Sequence, residues 1–321
     1  MQEAILGIDV SKAKFDASLL IGDETCHHVF AMDSEGFEAL GRWLTGRGVG
    51  RVHACLEATG EYGVALALSL HESGHVVSLV NPARTAAFSR SALSRNKTDK
   101  TDASLIAHFC RTQRPVPWNP PEPAVRELQA LVRRYEMLQG MAQQEKNRRQ
   151  NPGNPPSVQA SMEATLEFLD GEMVRIRGRI REVLERSEDL MEKQQHLCSI
   201  PGVGELTAAR VLAEMEMIRG SVSARQLAAY AGLTPQHRYS GSSVRGKPRL
   251  SKTGNSRLRR ALYFPALVAM RHNPVLREFA ERLRERGKHP MAIVGAVMRK
   301  LLHLIYGVLT SKSSFDPDIA R

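Results

Sequence analysis

The sequence has little that would mark a membrane, secreted or zinc-binding protein. No apolar run approaches the length of about 18 residues that a transmembrane helix needs. The N-terminus leads directly into an apolar segment, residues 4–10, without a basic leader, so we expect no signal peptide. The four cysteines form no CxxC pair, which indicates neither zinc nor a disulfide framework. We therefore expect a cytoplasmic protein with no membrane partner.

Acidic residues are absent from residues 217–277, a stretch of 61 residues that contains twelve Lys or Arg. The formal net charge of the chain is +11, so this stretch accounts for all of the excess positive charge. A concentrated cationic surface predicts a polyanionic partner, with nucleic acid as the first candidate. The alternative is an ordinary solvated surface.

The first third of the chain alternates strand and helix patterns, which predicts an α/β domain with a mixed sheet. The expected order is three strands, then helix, strand, helix, strand and helix. The strands are expected at residues 4–10, 14–20, 28–32, 52–56 and 75–80, with helices at 34–44 and 62–70.

Five prolines in residues 114–123 predict a linker. Two long helical patterns follow, separated by a proline-rich break at residues 151–156, and the second has a heptad stripe from Met162 to Val183. This pattern predicts a helical hairpin or coiled-coil arm, and heptads do not distinguish an intramolecular hairpin from a dimerisation arm. From Leu197 onward we expect a mainly α-helical region with a glycine-rich basic loop at Tyr239–Ser256.

Four carboxylates in the first domain suggest a metal site. Asp9 and Glu57 end predicted strands, and Asp99 and Asp102 are spaced to share one face of a helix. Strand ends of an α/β sheet are where its ligands bind, and Mg²⁺ prefers oxygen ligands. Such ions stabilise phosphoryl transfer. Taken singly, each acid is also explained as a turn or helix-cap residue.

The basic loop combines glycines, cations and serines, as in Ser240-Gly-Ser-Ser-Val-Arg245-Gly. Glycines allow a close approach to phosphate, and a serine can attack a phosphodiester when cations stabilise the developing charge. The alternative is a loop that holds phosphate without a covalent role, and local chemistry does not select one serine. The expected DNA phosphate contacts are Arg245, Lys247, Arg249, Lys252 and Arg257.

Residues 199–208 contain a Gly-apolar-Gly turn, Gly202-Val-Gly204, in front of a predicted helix. The turn resembles that of helix-hairpin-helix modules, in which backbone N–H groups point at a DNA phosphate. An ordinary tight turn between helices is the alternative.

Four strings, Gly-Ile-Asp9-Val-Ser-Lys, Leu-Glu57-Ala-Thr-Gly, Asn-Lys-Thr-Asp99-Lys-Thr-Asp102-Ala and Ser240-Gly-Ser-Ser-Val-Arg-Gly, together resemble the DEDD-type transposases of the IS110 family of insertion sequences. The resemblance implies a RuvC-like, ribonuclease-H-type domain (1–114), a coiled-coil arm (122–190) and a transposase domain (195–321). It implies that Asp9, Glu57, Asp99 and Asp102 bind Mg²⁺, with Mn²⁺ as an alternative, and that Ser240 is the catalytic serine.

The same resemblance implies the partners: double-stranded donor and target DNA, a structured guide (bridge) RNA, and a homo-oligomer from dimer to tetramer. In the tetramer the acids of one protomer face the serine of another, and the bacterial protein is associated with the nucleoid. We expect DNA to be cut and rejoined through a phosphoserine. One alternative is a RuvC-like, metal-dependent nuclease or junction resolvase without a covalent intermediate. The other is a nucleic-acid-binding protein without catalysis.

Overall fold

The computed structural model describes residues 4–57, 62–91, 99–215, 223–240 and 244–318. The chain divides into two compact units, Met1–Pro120 and Pro121–Arg321. The boundary lies within the proline-rich segment at residues 114–123. A further division of the second unit into an arm and a transposase domain stays a prediction.

Unit 1 is built on a mixed five-stranded sheet in the order β3-β2-β1-β4-β5. The first three strands are antiparallel, whereas β1, β4 and β5 run parallel. The mixed α/β sheet predicted from the sequence is therefore correct, although β3 begins four residues earlier than expected. The strands are β1 (Ala4–Val10), β2 (Lys14–Ile21), β3 (Glu24–Ala31), β4 (Val52–Glu57) and β5 (Val76–Val80).

Helices cover both faces of this sheet, as the apolar residues on alternate strand positions require. Helices α1 and α2 pack on one face, where Leu6, Ile8 and Leu56 are buried. Helix α4 packs on the other face, against Ile5 and Cys55. The helices are α1 (Ser34–Thr45), α2 (Tyr62–Glu72), α3 (Pro82–Ser91) and α4 (Asp99–Gln113).

Gly7 of β1 lets helix α4 approach the sheet more closely than any side chain would permit. A Cβ atom at this position would lie 2.2 Å from both the carbonyl oxygen of Ala103 and the backbone nitrogen of Ala107. Both contacts are backbone atoms of a helix, which cannot move aside without disturbing its hydrogen bonds. Gly7 therefore fixes the position of α4 on the sheet.

Unit 2 is mostly helical and has one large core formed by residues from α5 through α13. Prolines occupy the first turn of α5, α6, α12 and α13, where the missing N–H has no helical partner to lose. The helices are α5 (Pro123–Arg149), α6 (Pro156–Glu185), α7 (Glu188–Cys198), α8 (Glu205–Met215), α9 (Ala224–Tyr230), α10 (Ser256–Ala261), α11 (Tyr263–His272), α12 (Pro274–Glu285) and α13 (Pro290–Ser311).

Helices α5 and α6 pack against each other within the chain, on either side of the proline-rich break. Their distal contact is a small cluster formed by Leu138, Ala142, Leu166 and Leu169. The intramolecular hairpin is thus present. These contacts do not test whether the same helices also serve as a coiled-coil dimerisation arm, which stays a prediction.

The basic segment expected as a loop is partly a β-hairpin, and the prediction of a loop over Tyr239–Ser256 was wrong at residues 239–240 and 244–250. Strand β6 (Pro235–Ser240) pairs antiparallel with β7 (Val244–Leu250). These strands contain glycine, proline and basic residues in place of the alternating apolar residues that identify a strand in a sequence. They are stabilised by hydrogen bonds to each other, which the β-propensity of the single residues does not predict. We call β6 and β7 the serine hairpin.

Helix α13 is long and apolar enough to cross a membrane by length and composition alone. Its residues Ile293, Val297, Leu301 and Ile305 lie buried in the unit 2 core. A mostly buried helix of this kind is the core helix of its unit, so its hydropathy is explained by packing.

The contact at Gly7 generates a stability prediction. Substitution Gly7→Ala places a methyl group into the backbone of α4 and should lower the free energy of unfolding by about 3 kcal/mol or more. Gly41→Ala is the matched control, because nothing lies within 4 Å of its Cβ position in α1. The control should be neutral or gain about 0.5–1 kcal/mol from helix propensity. Equal urea-unfolding midpoints for both variants would contradict the close approach.

Candidate active site and nucleic-acid interface

Asp9 and Glu57 lie side by side at the carboxyl ends of two neighbouring parallel strands. The register of β1 and β4 pairs Ile8 with Leu56, and each acid is the next residue of its strand. Both acids are half-buried. The carboxyl edge of a parallel pair is where α/β sheets bind their ligands, which agrees with the position expected for these acids.

Both acids belong to the face of the sheet that α4 covers. Side chains alternate along a strand, so Asp9 shares a face with Ile5, and Glu57 shares a face with Cys55. Ile5 and Cys55 pack against Ile106 of α4. We call this side of the sheet the acid face.

Asp102 lies in α4, directly before Ala103, the residue whose carbonyl oxygen closes on Gly7. It is one helical turn before Ile106, which packs on the acid face, and is itself half-buried. Helix α4 therefore carries Asp102 to the same face as the two strand acids. Asp99 begins α4, but its side chain lies outside the part of the chain that the structure describes.

Glu57 is held by a residue that sequence patterns did not single out. The hydroxyl of the buried Thr85, in α3, donates a hydrogen bond to Oε1 of Glu57, and the Oγ1 atom of Thr85 also lies 2.9 Å from the carbonyl oxygen of Pro82. Next to Glu57 on the strand, a hydrogen bond with Cys110 and burial raise the pKa of the Cys55 thiol. Cys55 thus stays protonated at neutral pH.

Asp16 is a further buried carboxylate of the acid face. It is the direct cross-strand neighbour of Asp9 in the β1–β2 pair and is only 5% exposed. Its oxygens lie 3.0 Å from Nε2 of His27 and 3.3 Å from Nζ of Lys14. Opposed carboxylates repel, and these partners offset that cost. The signal missed in the sequence was a charged residue inside a strand, at a position that only the register places beside Asp9.

The donor set on the acid face consists of carboxylate oxygens, which suits a hard divalent cation such as Mg²⁺. Among residues with described side chains, no group of three His, Cys, Asp or Glu is close enough to hold a metal ion. The side chain of Asp99, the fourth acid of the expected set, is not among these. Asp9, Glu57 and Asp102 share one face of unit 1 without forming a three-ligand cluster, and their role as metal ligands is a proposal.

Ser240 is the last residue of β6 and pairs with Val244 across the serine hairpin. Residues 241–243 lie outside the described residues, as do the side chains of Ser240, Arg245 and Lys247. The roles expected for these three residues therefore stay predictions.

The cations that follow the hairpin are described, and they face solvent to different extents. Arg249 and Lys252 are exposed, whereas Arg257, in the first turn of α10, is half-buried. Lys252 has φ +53°, and Gly254 has φ +125°, so the chain turns sharply after β7. Cations of β7, of the turn and of α10 thus follow one another within a short stretch of chain. Several neighbouring cations are what contacts to a phosphate backbone require.

A partly buried polar network centred on Asn255 anchors the end of the serine hairpin. Its Nδ2 donates to the carboxylate of Glu214 at 2.6 Å and to the hydroxyl of Tyr230 at 3.0 Å. Its Oδ1 caps α10 by accepting from the backbone N–H groups of Arg257 and Leu258. Burial and the nearby Glu214 raise the pKa of Tyr230. The sequence offers Asn255, before Ser-Arg-Leu, as a candidate helix cap. It does not indicate that Asn255 also binds the distant residues Glu214 and Tyr230.

The two glycines of the helix-hairpin-helix-like turn have different surroundings. Gly202 has φ +104°, and a Cβ there would lie 2.9 Å from the backbone nitrogen of Ala269 in α11, so this glycine is required by packing. Gly204 is exposed, with open space where a side chain would be. Arg177 and Arg181 of α6 line the same cleft of about 390 Å³ as Gly204. Gly204 rather than Gly202 is thus accessible to a phosphate.

Two family models match the chain. Residues 6–151 match a model described as a transposase, and residues 194–281 match the transposase family IS116/IS110/IS902. A pilin gene-inverting protein of Moraxella bovis is 30% identical over 99% of both chains. The chain belongs to the IS110-type transposase family.

Shorter matches agree with this family assignment. An insertion element IS110 protein of Streptomyces coelicolor is 33% identical over 37% of this chain and 29% of its own length. A transposase for insertion element IS1111A of Coxiella burnetii is 38% identical over 30% of this chain and 26% of its own.

Membership of the IS110-type family implies an insertion-sequence transposase or recombinase, an enzyme that cleaves and rejoins DNA. The family's DEDD-type domain generally uses divalent metal ions. The mixed sheet of unit 1 and the helical remainder are compatible with a DEDD nuclease-like domain in this IS110-type transposase.

The Asn255 network generates a second stability prediction. Asn255→Ala removes the α10 cap and withdraws a donor from the buried Glu214 carboxylate, which should cost about 3 kcal/mol. Ser223→Ala is the control, because Ser223 caps the neighbouring helix α9 from an exposed position, and its loss should cost about 1 kcal/mol. Urea unfolding measures both, and equal losses would show that the network adds nothing beyond the cap.

Proposed function

We propose that this IS110-type transposase cuts and rejoins DNA through a phosphoserine intermediate, with Ser240 as nucleophile and with divalent-metal assistance. The observation that carries the proposal is the convergence of Asp9, Glu57 and Asp102 on one face of unit 1. Its counterpart in unit 2 is an acid-free serine hairpin. The order and directions of the strands support the RuvC-like, ribonuclease-H-type fold that the family resemblance implies.

The acids would hold the metal. The proposed ligands are Asp9, Glu57, Asp99 and Asp102. The hydroxyl of Thr85 holds Oε1 of Glu57 by a hydrogen bond, and we propose that Oε2 of Glu57 is the oxygen that binds the metal. Mg²⁺ bound there, with Mn²⁺ as an alternative, would supply positive charge to a reacting phosphodiester. Rigid strand backbone carries two of the acids, which keeps their positions fixed during reaction.

The covalent step exchanges one phosphoester for another. The Oγ of Ser240 forms a bond to phosphorus, the bond from phosphorus to a sugar oxygen breaks, and the serine proton is passed to that sugar oxygen, which leaves as a hydroxyl. A hydroxyl of the exchanged strand then attacks the phosphoserine, releases Ser240 and rejoins the DNA. Bond energy is conserved in the intermediate, so the reaction needs no ATP, and the sequence contains no P-loop string.

The basic segment would hold the DNA strand during exchange. Arg249, Lys252 and Arg257 are positioned on or directly after the serine hairpin, and Arg245 and Lys247 are proposed contacts on β7. Gly204 would add a backbone contact at the start of α8, next to Arg181. Neutralising several phosphates in this way makes DNA affinity strongly dependent on salt.

The proposed partners follow from the family resemblance. Double-stranded donor and target DNA would be bridged by a structured guide RNA, so that base pairing supplies sequence specificity and the protein holds backbone and shape. The proposed assembly is a homo-oligomer, up to a tetramer in which acids of one protomer act with Ser240 of another.

A recombinase is favoured over a RuvC-like nuclease or junction resolvase by the name of a relative that matches over 99% of both chains. That relative is named a gene-inverting protein, and inverting a DNA segment requires rejoining as well as cutting. A binding protein without catalysis would give the buried acids of unit 1 no use. The nuclease proposal leaves Ser240 dispensable, which makes the two proposals separable by experiment.

The proposal predicts a denaturant-resistant protein–DNA adduct. The full chain would be incubated with Mg²⁺, a labelled duplex carrying the element junction, and RNA from the element's flanking region. Ser240→Ala and Asp102→Asn should each abolish the adduct on a denaturing gel, because one lacks the nucleophile and the other a proposed metal ligand.

Ser251→Ala is the matched control, since this serine lies just after β7 and should keep the adduct. Cleaved DNA without an adduct, unaffected by Ser240→Ala, would support the nuclease instead. Loss of the adduct in Ser251→Ala but not in Ser240→Ala would reassign the nucleophile.

A further inference from the structure

Three cationic or protonatable residues belong to helices α9 and α13. Arg225 lies in the first turn of α9, and Arg299 and His303 lie one turn apart on α13. Helices α9 and α13 are in contact within the unit 2 core. We call these three residues the cation cluster. None of them belongs to the serine hairpin or to the cations that follow it.

The electrostatics of the cluster are unbalanced. Burial, then Arg299, Lys300 and Arg225, lower the pKa of His303, and all three charges are positive. Within the described residues, neither guanidinium forms an ion pair or hydrogen bond, and Nε2 of His303 is buried without a hydrogen-bond partner. Because clustered like charges repel, a polyanion that neutralised the two guanidinium groups would bind favourably.

A helical stripe connects the cluster to the serine hairpin. Gly295, Arg299 and His303 are spaced four residues apart and share one side of α13. Gly295 packs against Leu250, the last residue of β7, whose Cδ1 atom would lie 2.9 Å from a Cβ at Gly295. At about 1.5 Å rise per residue, the cluster begins about 6 Å along α13 from the hairpin and ends about 12 Å from it.

We propose that the cation cluster binds a phosphodiester of a nucleic acid strand that continues from the serine hairpin along α13. Two arginines offer paired N–H donors that match phosphate oxygens, and the imidazole adds a third donor when protonated. The proposal relies on the proposed function only for the identity of the ligand as nucleic acid. Phosphate in DNA and in RNA has the same chemistry, and separate experimental arms distinguish them.

Salt dependence of binding tests the site without any cleavage. In the full chain carrying Ser240→Ala, fluorescence anisotropy would measure affinity for duplex DNA and, separately, for a hairpin RNA. Arg299→Gln and Arg225→Gln should each weaken binding severalfold at low salt and reduce the slope of log affinity against log salt by about one. Loss in the DNA arm alone, in the RNA arm alone or in both supports the site and identifies its ligand.

Arg282→Gln is the matched control: it removes one exposed arginine from α12, where Glu278 lies one turn away and balances its charge. It should leave the slope unchanged. Slopes for Arg299→Gln and Arg225→Gln equal to that of Arg282→Gln, in both arms, would overturn the proposal. Because anisotropy measures binding and not cleavage or adduct formation, failure here is separate from failure of the adduct experiment.

A second readout does not depend on the arginine variants folding. In the full chain with labelled histidines, inorganic phosphate should raise the pKa of the His303 imidazole, because an adjacent anion favours the protonated ring. His272, exposed at the end of α11, serves as the internal reference. A His303 titration curve unmoved by phosphate would overturn the proposal.

Discussion

The close approach of helix α4 to strand β1 at Gly7 is the contact on which the proposed chemistry of unit 1 depends. A glycine in the middle of a strand costs conformational entropy and contributes no packing of its own. Here it removes the one side chain that would hold α4 away from the sheet. The helix can then bring Asp102 to the face where parallel strands β1 and β4 end in Asp9 and Glu57. A residue without a side chain thus determines how close Asp102 lies to the two acids on the strands.

The second unit solves a different problem, which is to hold a highly cationic segment in a fixed conformation. Like charges along the serine hairpin repel, and no acid in residues 217–277 relieves them. Glu214, just outside that stretch, reaches Asn255 through a 2.6 Å hydrogen bond and fixes the point where the segment joins α10. Gly254 permits this because its Cβ position would lie 2.1 Å from the Tyr230 carbonyl oxygen. Local structure therefore comes from buried polar contacts, and the cations stay available for phosphate.

Sequence patterns predicted the elements with strong periodicity and missed those defined by distant partners. The apolar run of Ala4–Val10 depends on local geometry, so β1 was expected where it occurs. The spacing of Asp99 and Asp102 was interpreted on the condition that a helix begins near Asp99, and α4 begins there. Asp16 has a place beside Asp9 only through the register of β1 and β2. The serine hairpin was not predicted because its strands do not alternate apolar and polar residues. They consist largely of cations, glycine and other polar residues.

The most direct test of the acid face is metal binding by the full chain, measured as Mn²⁺ titration by electron paramagnetic resonance. Asp102→Asn should weaken Mn²⁺ binding by about tenfold or more, since one proposed ligand loses its charge. Asp23→Asn, in the exposed turn between β2 and β3, should bind as the unaltered chain does. If Asp102→Asn and Asp23→Asn bind Mn²⁺ equally well, the carboxylates that α4 and the strands bring together are not a metal site.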